Sequence, residues 1–540
     1  MPSGQGIETS ARKLCTPVLL AIVVLTLYVA STTSVTTVPS EFPFGFMKAL
    51  PPAYWAAVLL SAVLLFLAIA SHERKYLWIS ALFLTILIPG LGDLTHPYPR
   101  DMNTTVTAEH IARGGGFSPA ESVFLSFPGA AIVFSFMMLT TGEPSYLVIR
   151  AFGLLYNIIV LGLSYLFFRR TAMGQTHSIL SALLVVACFY YQGVLIYTSL
   201  MGFIFYIAIA GIVFGSRLGR IDYFLLLLFF AGMVLSHAYS PFLTLTMLVA
   251  LSIGWPLMHT LLRRMKLERY AGDPPSIRPQ ILPFAITILA AYWIYFASTP
   301  FSWAVAKLES LRVTSQIGAA GLPILSPQTV FAADYSHLTE LYAPLLFFSF
   351  AAYLLLVHHD GRKLQSILWI IGLGGAVFFS VAGYVSEFIP RIFSFAILPL
   401  SYGIGRIFDL NKRLLPSVGI IVMLVAFGLH LPAHYGQDAF LIYGDSTVVG
   451  IRFLANHSFS NASIDAPIRE LSDHFYIDIY RTWDGIGPGS YNVLSYPSAN
   501  WVLYSEGQTA LGELTGKVES SNYDRVFSSG EFEIYFENEF

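Results

Sequence analysis

Long apolar runs separated by short polar segments constrain the fold of this chain more than any other feature. Most are about 17–25 residues long, the length that an α-helix needs to cross the hydrocarbon core of a bilayer. The chain is 11% charged, whereas soluble globular domains are about 25% charged. The sequence therefore predicts a mainly α-helical, polytopic transmembrane bundle of about 13 spans. The runs lie near 16–34, 53–71, 76–92, 151–168, 178–194, 199–215, 222–237, 241–262, 281–298, 341–357, 365–384, 390–407 and 414–431.

The distribution of Lys and Arg predicts which loops face the cytoplasm, where these residues are retained. With the N-terminus in the cytoplasm, 18 of the 30 basic residues fall in cytoplasmic segments and seven in outward loops. If the short apolar stretch 127–139 crossed the membrane, every later loop would change sides and the bias would reverse. We therefore expect 127–139 to be a re-entrant or interfacial helix that begins and ends on the outer side. The first run also has features of a signal-peptide core, and its cleavage would leave the remaining topology unchanged.

Three regions follow from this topology in a multi-pass protein of the plasma membrane. Residues 1–75 form an N-terminal transmembrane hairpin, and 76–431 form a core with exterior loops 93–149 and 299–340. After Pro432 the chain becomes polar, and runs such as "YNVLSY" and "FEIYF" alternate apolar and polar residues, as strands do. We expect 432–540 to be a small extracellular α/β domain.

The first large exterior loop gathers two aspartates, a glutamate, two histidines and two arginines in "GDLTHPYPRDMNTTVTAEHIARGGG", at 92–116. Within it, "NTTVTAEHIARGGG" predicts a helix that a Thr caps and the glycines end. This helix would hold Asp101 at its entrance. A solvated connector is the alternative, although loops of about 34 residues in compact proteins tend to be functional.

The order of these features resembles the membrane glycosyltransferases of the GT-C superfamily. The resemblance covers about 76–410 and rests on an exterior aspartate, a short helix ending in Gly, then "TGEPSYLVIR" and "LSYLFFRR"; "NYDRVFSSGEFEIYF" is similar to the end of the exterior domain of archaeal members. It implies a bundle with exterior juxtamembrane helices, a polyprenyl-phosphate-linked sugar as donor, an acidic residue of the first exterior loop in catalysis, and inversion at the sugar. The hairpin before the third span departs from the simplest pattern of the family.

The expected function is transfer of a sugar from a polyprenyl-phosphate donor to a glycan, lipid or protein acceptor on the outer face of the membrane. Such a transfer requires a base or a metal-bound carboxylate for the acceptor and cations for the departing phosphate. The candidates for the acid–base group, in order of preference, are Asp101, Asp93, Glu109 and His110. Asp101 has an alternative role as a helix cap paired with Arg100 or Arg113.

The candidates for substrate binding lie at the predicted outer boundary. Arg391 in "SEFIPRIFSF" follows Glu387 closely and is the first choice for the lipid phosphate, since a charged residue in that position is a functional hypothesis by default. An interfacial anchor, or an ion pair with Glu387, is the alternative. The further candidates are Glu387, Arg150, Arg100, Lys307 and His237. For His237, a packed polar break in the helix is the alternative.

The metal requirement and the function class stay open at this point. A divalent cation, Mn²⁺ or Mg²⁺, is compatible with the chemistry, but the loop contains no Asp-x-Asp pair. A transporter or lipid-linked-sugar flippase is the alternative, as is a non-catalytic assembly protein.

"RTWDGIG" in the tail faintly resembles the Trp-Trp-Asp-Tyr-Gly signature of oligosaccharyltransferases, with an ordinary turn as the alternative. The net charge of −2 gives no indication of a nucleic-acid partner.

Overall fold

The computed structural model describes the helical core most completely. The described residues are 4–32, 50–90, 102–114, 126–143, 145–171, 173–188, 197–215, 218–266, 277–298, 301–302, 395–405, 421, 425–428, 430, 464–465, 491–495, 523–528 and 532–537. Side chains are described for most of these residues up to 430.

The described part of the chain is mainly helical. The helices are α1 (Gly4–Thr32), α2 (Pro52–Ala70), α3 (Arg74–Thr85), α4 (Met102–Ala112), α5 (Gly129–Thr141), α6 (Ser145–Arg170), α7 (Gln175–Cys188), α8 (Tyr197–Val213), α9 (Arg220–Ser236), α10 (Ser240–Val249), α11 (Trp255–Arg264), α12 (Ile281–Tyr295) and α13 (Phe395–Gly405). π-Helical turns follow α3 at Ile86–Gly90 and α10 at Ala250–Gly254.

Four described segments are long and apolar enough to cross a membrane. They are Ser10–Ser31, Pro52–Ala70, Ala151–Arg170 and Ser240–Arg264. Shorter apolar helices include α5, α8 and α12. The described residues therefore agree with a helical membrane protein, and the count of 13 spans stays a prediction because the runs 341–357 and 365–384 lie outside them.

Exposed apolar side chains support lipid as the solvent of these helices. Leu20, Val24 and Leu27 are exposed along α1, and Leu59 and Phe66 are exposed along α2. Soluble monomers rarely expose contiguous apolar patches of this kind. The other faces of the same helices are buried in the bundle, so each helix has one side that faces lipid and one that faces protein.

Side-chain contacts show which ends of the long helices meet. Near the start of α3, the ring of Trp78 lies 4.5 Å from the ring of Tyr165, which is near the end of α6. Arg170, the last residue of α6, donates a hydrogen bond from Nη1 to the carbonyl of Gly211 near the end of α8, at 3.2 Å. The start of α3 and the ends of α6 and α8 thus form one end of the bundle, called here the Arg170 end.

The opposite end of the bundle gathers the start of α8 and the end of α9. Ser199 Oγ lies 2.8 Å from His237 Nε2 across these two helices. At the start of α2, the hydroxyl of Tyr54 donates to the carbonyl of Leu87 in the π-turn after α3, at 2.9 Å. Because α2 runs antiparallel to α3, this contact also belongs to the end called here the His237 end.

The N-terminal hairpin packs on the rest of the bundle through α3. Helix α1 packs on α2, and α2 packs on α3. At the Arg170 end, Arg12 and Glu73 form an ion pair at 2.8 Å, and the hydroxyls of Thr16 and Tyr76 share a hydrogen bond at 2.7 Å.

A four-stranded sheet is described in the C-terminal region. It consists of β1 (Ile464–Asp465), β2 (Tyr491–Ser495), β3 (Tyr523–Ser528) and β4 (Phe532–Glu537), in the order β1-β2-β4-β3. β1 is parallel to β2, the other pairs are antiparallel, and β3 is irregular between Arg525 and Phe527. The alternating runs "YNVLS" and "FEIYFE" therefore form strands, whereas the exterior location of 432–540 stays a prediction.

Candidate functional site

Helix α4 forms within the loop that the sequence marks as the candidate site. It ends after Ala112, where the amide of Gly114 donates to the carbonyl of Ile111 at 3.0 Å and Gly114 adopts a φ of +79°. Glycine takes this left-handed conformation at little cost, which explains the glycine stop. The predicted Thr cap is wrong, because α4 begins at Met102 and Thr104 therefore lies inside its first turn.

The residues of α4 divide into a buried and a partly exposed set. Thr104, Thr105, Thr107 and Ala108 are buried, and α4 packs against α5 and α6. Glu109 and His110 are partly exposed. Glu109 Oε2 lies 3.4 Å from Arg113 Nη2 in an i,i+4 ion pair that is open to solvent, so this pair contributes little to stability.

Helix α5 is the stretch expected to be re-entrant or interfacial. It has 13 residues, so it is about 20 Å long, whereas the hydrocarbon core is about 30 Å thick. It ends at Gly142, whose φ is +72° and whose amide donates to the carbonyl of Met138 at 2.8 Å. Ile132, Phe136 and Leu139 are exposed along one face. α5 is thus shorter than the hydrocarbon core is thick, as α7 and α12 also are, and it presents an apolar face outward.

The start of α5 lies against the His237 end of the bundle. At Gly129, a Cβ atom would lie 2.9 Å from the Cα of Ser236, so only glycine permits this approach to the end of α9. Just before α5, the carbonyl of Ser126 accepts a hydrogen bond from the hydroxyl of Tyr292 at 2.7 Å. These contacts join the first exterior loop to the ends of α9 and α12.

The middle of α5 lies at the same level of the bundle. The ring of Phe134 is 4.8 Å from that of Phe152, which is near the start of α6. Because α6 ends at the Arg170 end, its start belongs to the His237 end. Helices α4 and α5 therefore form a pair of short helices at the His237 end, named here the short-helix pair.

His237 joins three helices at this end. Its Nδ1 accepts a hydrogen bond from the backbone amide of Ser240 at 3.1 Å and lies 2.6 Å from Ser240 Oγ. A ring nitrogen that accepts a hydrogen bond from an amide carries no proton, so Nδ1 is unprotonated and the ring proton is on Nε2. Nε2 therefore donates a hydrogen bond to Ser199 Oγ at 2.8 Å. His237 is buried. Both ring nitrogens thus have partners within the chain, which is the geometry of a packed polar break.

Only part of the predicted site is described. Glu109 and His110 lie in α4 and His237 lies at the end of α9, all at the His237 end. Arg150 lies within α6, five residues after its first residue, Ser145, but its side chain is outside the description. The remaining candidates, Asp101, Asp93, Arg100, Lys307, Glu387 and Arg391, lie outside the described residues.

Several residues that support the site are not evident from the sequence. Tyr292 and Ser126 are far apart in the chain, and no local pattern pairs them. Ser199 and Ser240 carry no motif that connects them to His237. Gly129 offers the one available signal, since a glycine that opens an apolar helix after proline is compatible with a close helix–helix contact.

The described residues contain no group of three or more His, Cys, Asp or Glu side chains that could hold a metal ion. The two aspartates that would provide carboxylates for a divalent cation lie outside them. The metal requirement therefore stays a prediction.

Comparison with known proteins gives only distant structural likenesses. No protein-family model matches the chain, and no curated protein matches it. Among solved structures, the chain is similar to the archaeal oligosaccharyltransferase AglB from Archaeoglobus fulgidus, in complex with an inhibitory peptide and a dolichol-phosphate. The TM-score is 0.43 at 11% sequence identity, over 86% of this chain and 75% of that chain. A likeness at this level does not assign a family or an activity to the chain.

Proposed function

We propose that the protein is an integral membrane glycosyltransferase that moves a sugar from a polyprenyl-phosphate donor to an acceptor on the outer face of the membrane. The observation that supports the proposal most is the short-helix pair. Two short helices, α4 and α5, pack together at one end of the bundle, in the region expected to be the first exterior loop that carries the acidic candidates. This arrangement fits a reaction at the membrane surface, where the lipid tail of a donor holds its phosphate.

The charges of the described residues support the assignment of the two ends. Basic residues at the Arg170 end include Arg12, Arg169, Arg170, Arg220 and Arg278. Since basic loops are retained in the cytoplasm, the Arg170 end is the cytoplasmic one in this proposal and the His237 end faces outward.

The proposed chemistry uses the candidates of the first exterior loop together with Arg391. An acceptor oxygen or nitrogen attacks the anomeric carbon of the sugar, and the bond from that carbon to the phosphate oxygen breaks with its electron pair staying on the phosphate. Asp101 takes the proton of the acceptor, and Arg391 binds the phosphate before and after the transfer. Glu109 and His110, partly exposed on α4, are the next groups in reach of a substrate at this surface. Mn²⁺ or Mg²⁺ bound by Asp101 and Asp93 would serve as an alternative source of positive charge for the phosphate.

Burial of charge argues against the transporter or flippase alternative. Transporters often place ionisable residues near the midplane of the membrane. Among the side chains that the structure describes, no Asp, Glu, Lys or Arg is buried. The two acid–base candidates that the structure describes, Glu109 and His110, are partly exposed at the His237 end, as expected for chemistry on a lipid-borne substrate.

The test is transfer by the purified full-length chain from a panel of polyprenyl-phosphate and polyprenyl-diphosphate sugars, with and without Mn²⁺ or Mg²⁺. Asp101→Asn keeps the size of the side chain and its capping ability, so stability should change little. Loss of a general base typically lowers the rate by ~10²–10⁴. Transfer should therefore nearly vanish while the donor still binds, whereas Arg391→Ala should weaken donor binding itself.

Asp222→Asn is the matched control for this experiment. Asp222 lies at the Arg170 end, where its Oδ2 accepts a hydrogen bond from the amide of Gly219 at 2.8 Å. Asparagine preserves that bond, and the residue is far from the proposed site, so transfer should continue at the parent rate. An Asp101→Asn protein that folds and transfers as well as Asp222→Asn would refute the catalytic assignment. Absence of transfer from every donor by the parent would refute the proposed function.

A further inference from the structure

The helix that runs from the His237 end to the Arg170 end through α10, the π-turn and α11 is longer than a bilayer core requires. The segment Ser240–Arg264 has 25 residues. At 1.5 Å per residue it is about 37 Å long, compared with about 30 Å for the hydrocarbon core. The π-turn and Pro256 interrupt it near the middle, and such features bend helices. Because the segment is about 7 Å longer than the hydrocarbon core is thick, the last turn of α11 reaches the headgroup layer at the Arg170 end.

One face of α11 is apolar and uncovered in the described structure. Leu257, Leu261 and Met265 follow one another at intervals of four residues, which places them on the same side of a helix. Their exposed fractions are 72%, 50% and 58%.

The other side of α11 makes local contacts. Trp255 forms a small apolar cluster with Met258 and Leu262 that is separate from the main core, and its ring stacks on that of His259 at 4.9 Å. The contacts of Trp255 thus stay within this helix and the preceding turn, and the residues that the structure describes leave Leu257, Leu261 and Met265 exposed.

Cations surround the end of this apolar face. Arg263 and Arg264 form the last turn of α11, and Lys266 follows it with a φ of +59°. All three are exposed. Cations at a helix C-terminus interact favourably with the helix dipole, which would be a sufficient role for one of them. Three cations next to three exposed large apolar side chains are instead the composition of a helix that binds an anionic membrane surface.

We propose that the end of α11 is a binding site for anionic phospholipid. Leu257, Leu261 and Met265 enter the acyl region of the cytoplasmic leaflet, and Arg263, Arg264 and Lys266 contact lipid phosphates. Three cations complement the negative charge of phospholipid headgroups, so anionic phospholipid is the proposed occupant. The proposal concerns the Arg170 end and does not depend on the proposed transferase function.

The test uses a fluorophore at this site in the full-length chain. Met265→Cys is labelled with an environment-sensitive dye in a background in which Cys15 and Cys188 are replaced by Ala. The protein is reconstituted into vesicles that contain equal mole fractions of phosphatidylglycerol and phosphatidylcholine, with one or the other brominated near the headgroup. The ratio of quenching by the two brominated lipids reports which lipid lies beside α11.

Phosphatidylglycerol should quench more strongly. A basic residue near an anionic surface contributes ~1 kcal/mol to lipid binding. Each cation removed should therefore lower the preference for phosphatidylglycerol over phosphatidylcholine about fivefold. Arg264→Gln/Lys266→Gln should therefore nearly equalise the two lipids. Lys266→Gln alone changes a residue outside the helix, so it tests the same effect without risk to folding.

Arg74→Gln/Lys75→Gln is the control with the same loss of charge. These two residues lie at the start of α3, also at the Arg170 end, and both are exposed. This variant should keep the preference at α11. Equal quenching by the two lipids in the parent, or a preference that both cation variants leave unchanged, would overturn the proposal. Self-quenching between labelled chains without quenching by either lipid would identify a second copy as the occupant and would also overturn it.

Discussion

At the scale of single residues, His237 carries the most interactions that can be tested. His237→Ala leaves the amide of Ser240 and the hydroxyl of Ser199 without this buried partner, and one such loss costs ~1–3 kcal/mol. His237→Asn can still accept from the Ser240 amide, so it should be more stable than His237→Ala. The apparent Tm of each variant in detergent, followed by size-exclusion chromatography after heating, checks the order. A His237→Ala protein as stable as the parent would contradict the role of these hydrogen bonds.

At the scale of elements, the contact between α5 and α9 decides how the short-helix pair is held. Gly129→Ala would introduce a Cβ 2.9 Å from the Cα of Ser236 and 3.1 Å from the carbonyl oxygen of Leu235. Backbone atoms cannot rotate away, so α5 must shift, and such overpacking typically costs ~1–3 kcal/mol. Gly162→Ala in α6 is the control, since no atom lies within 4 Å of its added Cβ. The apparent Tm should fall for Gly129→Ala only, and equal values for the two variants would argue against a tight contact.

At the scale of the whole molecule, the orientation of the bundle in the membrane is the assumption on which the site depends. Arg113 and Lys266 are both exposed, and they belong to the His237 end and the Arg170 end respectively. In the background without Cys15 and Cys188, an impermeant thiol reagent added to intact cells should label Arg113→Cys and spare Lys266→Cys. After the cells are opened, both should react. Labelling of Lys266→Cys but not of Arg113→Cys in intact cells would mean that the His237 end faces the cytoplasm. That result would contradict the proposed outer site.

Local sequence predicted the elements of this protein more successfully than their contacts. Apolar runs predict helices because a chain in lipid must satisfy its backbone hydrogen bonds within each segment. The short α5 and the glycine stop of α4 followed from the sequence in the same way. The Thr cap was predicted in the same way and is wrong, since the helix begins at Met102 and both Thr104 and Thr105 are buried within it.

The residues of the candidate site were likewise predictable from local sequence, whereas their contacts were not. Sequence alone determined that ionisable residues gather in one loop between apolar helices, since that is a matter of composition and order. Only the tertiary structure decided that His237 bonds to Ser199, 38 residues away, and that Ser126 bonds to Tyr292, 166 residues away. Helix formation depends on residues within a few turns, whereas these bonds depend on which helix ends come together. That choice is made by close approaches such as Gly129 against Ser236, whose partners no local pattern specifies.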